Sequence, residues 1–463
     1  MPVELQRISL PLLFLTAMGW SAATLAAGAA ATPPARPPVV KVCPEKLVLG
    51  GAEVLLEGEA SDPDGDAKRH PLRCMWTQVA GPGPAEIVKA GDLRTPVRRL
   101  VQGCYTFRLT ATDPAEMNAF AETTVEVRPA PPPGIQITAD DPHLQFTGRT
   151  WRPAAGMVEL GWPGVTMKAR FSGTSLRIRM NQGWGPPPKA LAILDGKADT
   201  AALIYVDNRT DYLIADKLAP GEHALELVRL GGGWQGAIEF RGLVLDAGGA
   251  LLPPPPRPAR RIEFYGDSIT EGSYMEDQEV CNAYRAYAMT TARLLEAEAH
   301  LLAKGGLGMV RGYALPQTLP GIYDRAVPMR GDAKWDFQSW TPQVVVLNIF
   351  QNDKWTQGQV PAEEFIAAYS KFLGTLRGHY PRATLVAALG SMDAVAPGSA
   401  WPDYVRQAVE RHRIATGDKR VGTFFFPFLG RRAHPNTREA AAMAEALAAH
   451  LRAQGEALWQ DTP

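Results

Sequence analysis

The chain has 463 residues, too many for one ordinary hydrophobic core and suited to about three domains. Its 48 Lys and Arg balance 48 Asp and Glu, which gives no electrostatic footprint for nucleic acid or another polyanion. With 46% hydrophobic residues beside 44 Gly and 40 Pro, the composition excludes a disordered chain and suggests folded domains on stiff linkers.

Near its start the chain carries "SLPLLFLTAMGWSAATLA", short and apolar, preceded by Arg7 and running into the small residues "AGAAAT". Residues 1–31 therefore read as an export signal cleaved between Ala27 and Ala31. No second segment is long enough to span a bilayer, so the mature protein is expected to be secreted or periplasmic. Cys43, Cys74 and Cys104 in the first domain and the distant Cys281 suit an oxidising compartment. Their pairing stays open, and their spacing matches no metal site.

Proline runs at 128–134 and 253–258 mark two domain boundaries, because neither a helix nor a sheet interior tolerates them. Between residues 42 and 129, the runs "EVLLEGEA", "RCMWTQVAG", "CYTFRLTATD" and "TTVEVRP" alternate apolar with polar. They predict a small antiparallel β-sandwich with Trp76 in its core and Tyr105 near a corner. The phrases "GEASDPDGD", "MWTQVAGP" and "CYTFRLTATD" resemble the polycystic-kidney-disease-type, immunoglobulin-like repeat. That resemblance implies a spacer or accessory module, with "DPDGD" either a plain acidic turn or a calcium loop.

Residues 135–250 are also strand-rich, in runs such as "VTMKARFSG", "SLRIRMNQ", "HALELVRLG" and "AIEFRGLVLDAG", and predict a jelly roll. Trp162, Trp184 and Trp234 sit beside glycines in turns, where tryptophan either stacks on sugar rings or closes off a core.

From residue 261 to 463 the period changes. Short apolar strands, "RIEFYG", "HLLAKG", "QVVVLNIF", "ATLVAALG" and "VGTFFFPF", alternate with helical stretches. The helices expected are "AYRAYAMTTARLLEAEA", "PAEEFIAAYSKFLGTLRGHY" and "NTREAAAMAEALAAHLRAQ". Such alternation predicts a doubly wound parallel α/β sheet that binds ligands at the carboxyl ends of its strands. Ser268 follows the first strand in "YGDSITEG", where Gly266 permits a sharp turn. A rigid sheet edge is a suitable place for a nucleophile. Alone, Asp267 and Ser268 read equally well as a turn or helix cap.

A serine nucleophile needs a base and oxyanion donors. Of eight histidines, His434 alone lies in a loop after the last strand, just before a helix that Pro435 and Asn436 introduce. Asn352 follows the third strand, and the glycines of "GGLGMVRG" follow the second.

"GDSIT", the Gly-rich loop, "ND" and "HP" in this order resemble the SGNH hydrolases. Longer phrases narrow the resemblance to family two of the carbohydrate esterases, among them "GRTWRP", "GWPGVTMKARFSGTSLRIRM", "RRIEFYGDSITEG" and "WDFQSWTPQVVVLN". The resemblance implies removal of acetyl groups from polysaccharide of the mannan or xylan type. It implies Ser268 as nucleophile and His434 as base, with an oxyanion hole from the Ser268 N–H, Gly308 and Asn352. No metal or cofactor is implied. Trp355, Phe350 and Asp353 are candidate substrate-binding residues, with Phe350 either facing the acetyl site or packing inward. Two departures stand out: the family has Gly-Thr where this chain has Phe350-Gln351, and an Asp shortly before the histidine where it has Arg431 and Arg432. A Ser268–His434 dyad follows, with a backbone carbonyl expected to accept from Nδ1 and both arginines expected to face solvent. The rival readings are a carbohydrate-binding protein with a decayed esterase domain and a lipid-type SGNH esterase.

Overall fold

A computed structural model describes residues 36–43, 46–49, 53–63, 72–129, 134–207, 209–275, 281–356, 360–430 and 432–460. The expected signal segment, the centre of the "DPDGD" turn and Arg431 lie outside the described residues.

The first domain is a sandwich of two four-stranded sheets. Its strands begin at Val39, three residues earlier than the sequence suggested, and end with Asn118–Arg128. Trp76, Phe107 and Leu109 fill its own core, and the Tyr105 hydroxyl accepts from the Val101 N–H at 2.9 Å, closing a tyrosine corner. One pairing departs from the antiparallel expectation: Lys46–Leu49 runs parallel to Asn118–Arg128. None of the four cysteines is in a disulfide.

The second domain packs two six-stranded antiparallel sheets face to face. Alternation explains the arrangement. In Leu176–Gln182 every second residue (Leu176, Ile178, Met180) is buried, while the arginines between them face out.

The third domain is a five-stranded parallel sheet. Its order is Ala297–Ala303, Arg260–Gly266, Val344–Asn348, Thr384–Leu389, Val421–Phe425. The order reverses between Arg260–Gly266 and Val344–Asn348, which is where such sheets open a ligand crevice. Around the sheet lie α1 (Ser268–Glu271), α2 (Tyr287–Leu294), α3 (Gln351–Trp355), α4 (Ala362–His379), α5 (Trp401–Thr416) and α6 (Thr437–Arg452). Two details differ from the sequence reading. The stretch "EAEA" is not helical, because the chain turns at Glu296 and the strand starts at Ala297. Helix α5 was not expected; Pro402 lies in its first turn, where a missing N–H breaks no helical bond.

The jelly roll and the α/β domain share one core. Arg149, between two jelly-roll strands, is fully buried and pairs with Glu263 of the central strand at 2.9 Å. It also donates to the Tyr265 hydroxyl and to the Tyr323 carbonyl. Its charge holds the Glu263 carboxyl down to about 2 against the opposing effect of burial. Trp162 is likewise buried here, with its indole N–H on the Arg325 carbonyl at 3.0 Å.

Candidate active site

The strand Arg260–Gly266 ends where a Cβ on Gly266 would lie 2.0 Å from the Thr270 hydroxyl oxygen, so only glycine lets the chain turn this tightly. Asp267 then caps α1, accepting from the Ile269 N–H at 3.0 Å. Burial pushes its carboxyl up to about 7. Capping and presentation of the Ser268 hydroxyl therefore coexist in this turn. Ser268 stands at the start of α1, half-buried, and its Oγ lies 2.8 Å from Nε2 of His434. The Ser268 N–H has no partner among the described residues.

His434 is carried by the loop after the last strand. Two residues on, Asn436 forms a capping box with Glu439 (2.9 Å and 2.8 Å), which sets the start of α6 and with it the direction of the imidazole. Burial lowers His434 to about 4, and no carboxylate among the described residues raises it. Arg432 is exposed, with its guanidinium 3.8 Å from Asp393.

Asn352, in the first turn of α3, is buried and donates to the Leu307 carbonyl at 2.7 Å. Its second amide hydrogen has no partner among the described residues. The structure thus ties Asn352 directly to the glycine loop. Gly308 in that loop has no room for a side chain, since a Cβ there would come within 1.9 Å of the Arg311 carbonyl oxygen. Gly305 comes close to Ser268: a Cβ on it would sit 3.7 Å from the Ser268 Cβ.

Two of the three candidate substrate contacts turn inward, and the third stays partly exposed. Asp353 does not face a ligand; its buried carboxylate accepts from the N–H groups of Met309, Val310 and Arg311 and so shapes the glycine loop. Burial raises it to about 6 in spite of those donors. Phe350 is fully buried and packs within the apolar core, because it continues the hydrophobic strand Val344–Asn348 inward. Trp355 is 36% exposed, and its indole N–H donates to Asp393 at 3.1 Å.

Three residues that sequence reasoning passed over complete the surroundings. Asp393, after the fourth strand, gathers Gln351 at 2.7 Å, Lys354 at 2.6 Å and Trp355. Gln351 thus has an anchoring role of its own. The Tyr274 ring lies 5.0 Å from that of His434, is 59% exposed, and sits in left-handed backbone at φ 55°. Glu271 is buried one turn from Ser268 and accepts from the Ser273 hydroxyl and from the N–H of Gly233 in the jelly roll. Its signal was its place at a strand's carboxyl end within "GDSITEG", but nothing local shows that its partner lies in another domain.

Residues 146–255 match the family model described as "Carbohydrate esterase 2 N-terminal", and residues 45–127 match a "K319L-like, PKD domain". A solved family two carbohydrate esterase from Clostridium thermocellum, in complex with cellohexaose, superposes with a TM-score of 0.62 at 27% identity. The match covers 68% of this chain and 100% of that one. The jelly roll and the α/β domain together have the build of a family two carbohydrate esterase. A second solved structure of this family, from Cellvibrio japonicus, gives a TM-score of 0.62 at 26% identity, covering 69% of this chain and 97% of that one. In sequence, an acetylxylan esterase / glucomannan deacetylase of Cellvibrio japonicus (strain Ueda107) is 29% identical over 340 residues. That alignment spans 68% of this chain and 90% of the relative. The family build therefore occupies the second and third domains, and the PKD-like domain precedes it.

Proposed function

We propose that this chain is a secreted carbohydrate O-acetyl esterase that removes acetyl groups from polysaccharide through a Ser268–His434 dyad. The observation that carries the reading is the 2.8 Å contact between Ser268 Oγ and His434 Nε2, at the switch point of the sheet. His434 takes the Oγ proton as the hydroxyl attacks the acetyl carbonyl carbon. The oxyanion is met by the Ser268 N–H, the free hydrogen of Asn352 and the Gly308 loop. His434 then returns the proton to the departing sugar oxygen, leaving an acetyl-enzyme. Water, deprotonated by the same imidazole, releases acetate.

The dyad is favoured over a triad by how two acids of this domain are engaged. Asp393 is occupied by Lys354, Gln351 and Trp355, and Asp353 by three backbone donors. The substrate class is taken from the relatives, one of which is named for xylan and glucomannan and another of which holds cellohexaose. Acetate release from acetylated glucomannan and xylan tests it. In the Ser268→Ala variant, turnover should fall on the order of 10⁴-fold with the fold unchanged. A variant keeping a tenth of the parental rate would sink the mechanism. A preference for long-chain over acetyl 4-nitrophenyl esters would instead identify a lipid-type esterase.

A further inference from the structure

The N-terminal domain takes no part in this chemistry, yet it forms one wall of a cleft of about 640 Å³ whose other wall is the jelly roll. Its side contributes Glu57 and Arg94, paired at 3.0 Å. The jelly roll contributes Pro187, Lys189, Tyr205 and Trp234. Trp234 is 48% exposed, although folding would ordinarily hide so large an apolar ring.

The loop that presents it is held from within. Arg229 is fully buried and donates to the carbonyls of Gly231, Gly232, Gln235 and Gly236. Burial pulls this guanidinium down to about 10. A buried cation held by carbonyls through its two terminal nitrogens, with Nε unpartnered among the described residues, is a costly way to fix a loop, and it leaves the indole standing out from a rigid base. Gly233, the neighbour of Trp234, donates to Glu271 at 2.9 Å, so the indole is also fixed relative to the nucleophile helix.

Lys189 supplies a polar group beside it. Its ammonium lies 4.5 Å from the Tyr205 ring centroid and makes no hydrogen bond among the described residues. A flat aromatic face, an available ammonium and an opposing Arg–Glu pair are the groups that hold a neutral pyranose. The C–H face rests on the ring, and the hydroxyls meet the charges.

We propose that this cleft is a second glycan-binding subsite, with Trp234 as its stacking platform and the N-terminal domain as its far wall. It takes an unacetylated stretch of the chain whose acetylated unit is at Ser268. Only the choice of ligand rests on the esterase reading. Calorimetry on the full chain with unacetylated mannohexaose, xylohexaose and cellohexaose tests the cleft without any turnover. At least one hexaose should bind. Trp234→Ala should weaken that binding at least tenfold, Trp234→Tyr should keep most of it, and Lys189→Met should weaken it several-fold. On acetylated polysaccharide, Trp234→Ala should raise KM while kcat holds. No binding of any hexaose, or equal binding by Trp234→Ala, overturns the subsite. Hydrolysis of 4-nitrophenyl acetate by the full chain separates the two readings. Hydrolysis without hexaose binding rejects the cleft alone, and Trp234-dependent binding without hydrolysis rejects the esterase alone.

Discussion

Toward the α/β domain the jelly roll continues one apolar core, with Trp162 sunk in it and the Arg149–Glu263 pair wholly buried. Toward the N-terminal domain it offers instead a partly exposed Asp216 to Arg128, and the Tyr205 ring to Lys46 at 5.4 Å, beside an open cleft. The N-terminal domain keeps its own separate core. Dry contact makes two domains one cooperative body, whereas wet contact leaves each with its own stability. The proposed Ser268–His434 dyad lies in the dry body, and the proposed glycan cleft lies along the wet seam.

The largest effect should come from the buried pair. Arg149→Ala leaves the buried Glu263 carboxylate without its counter-charge, with the Tyr265 hydroxyl and His300 beside it, and should cost about 3–5 kcal/mol. Calorimetry should show the jelly roll and α/β domain melting together at a lower temperature while the N-terminal transition stays in place. Separate shifts of the first two would show that they do not form one cooperative body. Phe350→Ala belongs to the same body and should lose about 3–5 kcal/mol as a core cavity. Its preference for acetyl over propionyl or butyryl esters should not change. A gain on the larger esters would return Phe350 to the acetyl site.

A smaller effect concerns His434, whose pKa is lowered to about 4 by the same dry surroundings. Lowering favours the neutral base, so activity should persist as pH falls and be lost only through about pH 4. At pH 5 about nine-tenths of the imidazole stays neutral, against about 3% for an ordinary histidine. The pH profile of kcat/KM measures this directly. An acid limb near 6.5 would mean that water or a carboxylate reaches the ring. Native His434 also binds fewer protons than its unfolded form between about pH 4 and 6.5, so its contribution to stability declines as pH falls through that window. The smallest effect is expected at the wet seam, where Arg128→Ala should change stability by no more than about 1 kcal/mol. A large loss on chemical denaturation would show that this seam is a true core contact.

The sequence made the architecture legible because strand and helix periods differ, and because proline marks the linkers. It made Ser268, Asn352 and His434 legible because each follows a strand in the same sheet, and the carboxyl ends of parallel strands converge. What it hid was direction. Asp353 and Phe350 flank the site in the chain, yet one turns back to three amides and the other into the core. Helix α5 was hidden by Pro402, though Trp401, Val405, Ala408, Val409 and His412 form a regular buried stripe. Long-range partners were hidden altogether. Arg149 and Glu263 are 114 positions apart, and each looks locally like a solvent-facing charge in a strand region.

The hydrogen bond from Gly233 to Glu271 bears on inheritance. A segment encoding residues 260–463 alone would carry both Ser268 and His434, but it would expose the inner face of α1 and lose one of the donors that Glu271 uses. Glu263 would lose Arg149 in the same cut. Recombination can therefore exchange what precedes residue 134 at little cost to the stability of the later domains, though not to the proposed cleft, while those two domains travel as a single heritable cassette.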